Sequence, residues 1–118
     1  MALNSSGYTS SATGVAADSN QTWTLAAGND ANGNPYFTNG QTGANLRYAF
    51  YSSNVNWTVG ATLLVTPFDY IAGSTPVTVF PLTGWYVFNA VAPVPTFTAN
   101  TNTTTTTAGK SRITTCIF

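Results

Sequence analysis

The chain has 118 residues, of which three are basic (Arg47, Lys110, Arg112) and three acidic (Asp18, Asp30, Asp69), with no His. A 5 % charged share, against about a quarter in ordinary domains, removes the clustered cations that nucleic acid or an anionic membrane surface would need, so neither is an expected partner. It also leaves little for catalysis: without His there is no Ser–His or Cys–His pair, one Cys cannot build a zinc site, and neither an enzyme nor a cofactor is expected.

The start of the chain has no basic region followed by an apolar stretch, so no signal peptide is expected. Residues 1–20, mostly Ser, Ala, Gly, Asn and Thr, read as an N-terminal arm that orders only on a neighbour. A strand follows at 21–26, with Trp23 and Leu25 on one face and Thr22 and Thr24 on the other. Residues 28–34 turn. A short strand at 34–38 is confined to an edge by Pro35, and Asn39-Gly40 turns the chain again. Residues 46–51 alternate, placing Leu46, Tyr48 and Phe50 on an apolar face and exposing Tyr51.

Val55, Trp57 and Val59 share a face of the next strand. After Gly60, residues 61–66 form the most continuous apolar run, the expected sheet centre, ended by Pro67. Strands at 68–71, 77–82 and 85–91 complete a core spanning 21–92. Residues 93–118 read as a C-terminal arm: a Pro-stiffened entrance, an extended edge segment at 96–100, a threonine tract, and an apolar strand at 113–118. Lys110 and Arg112 flank that strand as guards against aggregation. Thr alone supplies 22 residues, and few residues are helix formers. The expected class is all-β: a single small β-sandwich or jelly roll, with a small β-barrel as the alternative.

Five groups are weighed for chemistry. The Asp30–Asn34 run has the oxygen-rich start of a calcium loop, but Pro35 and Gln41 stand where such a loop needs Gly and Glu, so it reads as a turn. Ser111 beside Lys110 makes no dyad, because neighbours on a strand point to opposite faces. Cys116 sits among apolar residues and reads as an inert thiol. Four Asn-X-Ser/Thr patterns are no more than the abundance of Ser and Thr produces. The aromatics remain. Trp23 and Trp57 read as core, whereas one of Trp85 and Tyr86 must face outward. Tyr51, Trp85 and Tyr86, together with Ile113, Ile117 and Phe118, are the candidate interface residues, and the rings also suit a sugar platform.

In overall texture the chain resembles the small capsid decoration, or cement, proteins of tailed phages: a Thr/Asn/Gly-rich β domain without disulfides and with soft arms. The resemblance implies a virion protein made in the host cytoplasm, a jelly roll that forms trimers with itself, and a major capsid protein as its partner. A carbohydrate-binding module of a fibre or tail is the alternative. Zero net charge independently favours association.

Overall fold

The computed structural model describes residues 3–52 and 56–101; Ile113, Ile117 and Phe118 lie outside the described residues, as do Cys116, Lys110 and Arg112. Eight strands form the domain: β1 (Tyr8–Ser10), β2 (Thr22–Asn29), β3 (Pro35–Thr38), β4 (Tyr48–Ser52), β5 (Asn56–Thr62), β6 (Val65–Ser74), β7 (Trp85–Val87) and β8 (Phe97–Ala99). Short 3₁₀ turns occupy Ala16–Asp18 and Gly43–Asn45. The all-β expectation holds. The strands form one antiparallel sheet in the order β7-β6-β5-β4-β3-β2-β1-β8, curled into a half-barrel. Among the described residues no helix is long and apolar enough to cross a membrane.

Curling brings the two edges of the sheet towards each other. Loop residues 75–84 fill the remaining gap, where Phe97 N–H donates to Leu82 O at 2.8 Å. The concave side holds the core, built largely of rings: Trp23, Phe37, Trp57 and Tyr70 are fully buried there. Phe80, from the loop, fills the centre. Its ring lies 4.3 Å from Tyr8, 4.9 Å from Phe97, 5.1 Å from Trp57 and 5.4 Å from Phe37.

Several expectations are corrected. Residues 1–20 are not a separate arm over their described part, because β1 pairs with both β2 and β8 and buries Tyr8. The boundary at residue 92 dissolves for the same reason: β8 completes the sheet. The 61–66 run is no central strand. It bends at Leu63-Leu64, with Leu64 at φ 62, into the β5–β6 hairpin. Pro67 does not stop β6, because the register shift between Gly60↔Phe68 and Thr62↔Val65 leaves an extra residue there, a bulge that tolerates a missing N–H. Residues 77–82 are loop, and Leu25 is exposed although Trp23 is buried.

On β4 the faces are exchanged. Tyr51 pairs with Trp57 across the sheet, so Ala49 and Tyr51 enter the concave core while Tyr48 and Phe50 face outward.

Candidate functional site

The placement of the few charges is the most informative feature of the described residues. β6 carries a second bulge, where Val59 opposes Tyr70 but Gly60 opposes Phe68, and Asp69 is the extra residue. Strand alternation is broken there, so Phe68 packs on the convex face against Phe50 while Asp69 reaches Arg47. Arg47 immediately precedes β4 and is held by its own backbone neighbours: Nη1 donates to Ala44 O at 2.8 Å and Leu46 O at 3.0 Å. Its Nε donates to Asp69 Oδ2 at 3.1 Å and lies 3.7 Å from Asp18 Oδ1.

Asp18 ends the first 3₁₀ turn, which is pinned from two sides. Ser10 Oγ donates to Asp18 O at 2.7 Å and accepts from Trp23 Nε1 at 3.0 Å. Asn39 Nδ2 donates to Ala17 O and to Asn45 O, both at 2.9 Å. The Asp18 side chain is 1 % exposed. Burial, a hydrogen bond with Asp69 and the Asp69 charge, in that order, push its carboxyl up to about 9 against a weaker pull from Arg47. Asp18 is therefore a protonated acid at neutral pH. The acid is thus enclosed by the fold, while Arg47 and Asp69 keep a small exposed edge.

Asp30 is the remaining charged residue among those described. Its Oδ1 accepts from Asn32 N at 2.8 Å and Asn34 N at 3.1 Å, closing the β2–β3 turn as the sequence predicts. Among the described residues no group of His, Cys, Asp or Glu is arranged to hold a metal ion. Arg47 and Asp69 keep only 16 % and 18 % of their side-chain surface, and Asp18 and Asp30 are buried. The described surface is thus almost free of formal charge.

Rings occupy the convex face instead. Phe68 lies 5.6 Å from Phe50 and 5.4 Å from Phe88, and Tyr36 lies 6.0 Å from Tyr48. Phe88 continues the β6–β7 ladder through its N–H to Asp69 O at 3.1 Å, which puts it on the same face as Tyr86 two residues earlier. Tyr86 is 62 % exposed and Phe88 52 %.

Of the candidate interface residues, Tyr86 lies on this open surface. Trp85 and Tyr51 do not: both are buried, with Trp85 Nε1 donating to Pro81 O at 2.8 Å and Tyr51 Oη donating to Thr75 O. Ile113, Ile117 and Phe118 lie outside the described residues. Phe88 and the Asp18–Arg47–Asp69 cluster were not legible as site residues. Phe88 carries no local signal beyond its parity with Tyr86, and the cluster is assembled by a bulge. Comparison with family models, with curated proteins and with solved structures finds no match.

Proposed function

We propose that this protein is a structural subunit of a larger protein assembly, and that its place is on a virion, as a decoration protein that binds copies of itself and a major capsid protein. One observation carries the reading: charged side chains are withdrawn from the described surface while large apolar ones, including Tyr86, Val87, Phe88 and Val91, remain on it. A free monomer is kept soluble by exposed charge of either sign. A surface without it suits contacts made by rings and neutral hydrogen bonds, which salt does not screen. Trimer formation and the capsid partner come from the resemblance in texture and are part of the proposal.

The test is native mass across salt concentration, followed by co-sedimentation with assembled capsids. The expected result is an oligomer whose mass is the same in low and molar salt. A monomer at all concentrations that also fails to bind capsids overturns the reading. A second reading rests on the Tyr86 ring, which is open enough to stack on a sugar face. Specific glycan binding that is lost in Tyr86→Ala would favour a carbohydrate-binding module of a fibre or tail.

A further inference from the structure

A slot of about 560 Å³ opens beside the end of β8. It is lined by Ala99 and Asn100 at the end of β8, by the segment 3–5 that precedes β1, by Val79 and Leu82 of the loop, and by the rings of Tyr8 and Phe80. The bonded pairs Asn100–Gly7 and Ser11–Thr96 fix the strand's alternation, so Phe97 and Ala99 turn their backbone groups away from β1. Phe97 spends its N–H on Leu82 O. Two residues on, Ala99 lines the slot together with Val79 and Leu82 of the loop.

We propose that residues 113–118 of the same chain, Ile-Thr-Thr-Cys-Ile-Phe, dock in this slot as a strand added to β8. The segment and the slot lining are both uncharged. In an extended segment Ile113 and Ile117 share one face and Cys116 and Phe118 the other, so either row supplies apolar side chains to the slot. The tether also fits. The chain leaves β8 at Asn100, itself on the slot rim, and 11 residues, 102–112, separate Thr101 from Ile113. Fully extended they reach roughly 36 Å, ample for doubling back along the strand. A tether this short gives an effective concentration of about a millimolar, which favours the chain's own slot over that of a second copy at micromolar protein. The proposal concerns the single chain and does not rest on the assembly reading.

Cys116 is the chain's one thiol, so a second cysteine at the slot makes a clean cross-linking pair in the full chain. Thr78 and Val79 both line the slot, so Thr78→Cys and Val79→Cys are made in turn to meet Cys116. The control is Thr62→Cys, an exposed site at the end of β5. Under mild oxidation, one slot variant is expected to form an intramolecular disulfide in roughly tenfold or greater excess over the control. Adding Ile113→Asp, Ile117→Asp and Phe118→Asp together, which places charge in both rows, is expected to abolish it while the slot cysteine itself stays reactive. Equal yields at slot and control, or persistence of the bond in the Asp variants, would overturn the proposal. A disulfide-linked dimer would also overturn it, by placing the segment in a second copy.

Discussion

Arg47 Nε donates to the Asp69 carboxylate at 3.1 Å, and the same nitrogen stands 3.7 Å from Asp18. One guanidinium thus faces two carboxyl groups, and the pair avoids a net buried charge by keeping a proton on Asp18.

That proton sets a pH dependence of stability. Asp18 is raised from 3.8 to about 9, so between these values the folded chain holds a proton that the unfolded chain releases. The contribution of this group is greatest below the unfolded value, declines as pH rises through the window and is flat above it. Asp18→Asn keeps the size of the side chain and does not titrate. Melting temperature measured against pH is expected to fall more steeply in the parent than in Asp18→Asn, with the variant gaining most near the alkaline end. Parallel curves would count against a proton held on Asp18.

Phe80 is the loop residue on which closure of the half-barrel depends. Its ring lies within 6 Å of those of Tyr8, Phe37, Trp57, Trp85 and Phe97, rings that sit on strands at both edges and in the middle of the sheet. Phe80→Ala is expected to cost about 3–5 kcal/mol, a large share of an ordinary domain's stability, and Phe80→Leu clearly less. Urea unfolding measures both. A loss of under about 1 kcal/mol for the alanine variant would mean that the loop does not close the core.

The sequence pattern revealed the strand-rich class because Thr, Val and the aromatics recur at period two between turn residues. It placed Trp23 and Trp57 correctly because each has polar neighbours on both sides. It failed where both faces of a strand carry rings. On β4, Tyr48 and Phe50 compete with Ala49 and Tyr51, and only pairing with Trp57 decides which row enters the core. Bulges hid the rest. An extra residue at Asp69 changes which side chain faces inward, and period-two reading has no means of seeing it. Phe80 looked like part of a strand because Val77 and Val79 alternate with polar or small neighbours, yet Pro76 and Pro81 bracket it in a loop.

The convex ring surface makes a prediction about association. Tyr86 and Phe88 are more than half exposed, so Tyr86→Ser and Phe88→Ser are expected to leave the melting temperature nearly unchanged. If these rings anchor an interface, each change weakens it by about 1–2 kcal/mol, roughly a tenfold rise in Kd or more. Sedimentation equilibrium of parent and variants reads this directly. Unchanged association in the double variant would move the interface elsewhere on the surface.

Gly7 offers the sharpest test of how the N-terminal residues join the sheet. It sits at φ +83, and a Cβ placed there would stand 2.0 Å from the carbonyl oxygen of Trp23, a backbone atom that cannot swing aside. The same residue accepts the N–H of Asn100 at 2.9 Å and the Nδ2 of Asn4 at 2.9 Å, so it is where β1, β2 and the end of β8 are held together. Gly7→Ala must therefore both strain the backbone and push β1 from β2, costing at least about 1–3 kcal/mol. The damage has a location as well as a size. Amide exchange is expected to quicken at Tyr8–Ser10 and Phe97–Ala99 while β4 and β5 keep their protection, because those strands pair only with each other and with β3 and β6. Were residues 1–20 an arm independent of the sheet, Gly7→Ala would leave exchange in β8 untouched.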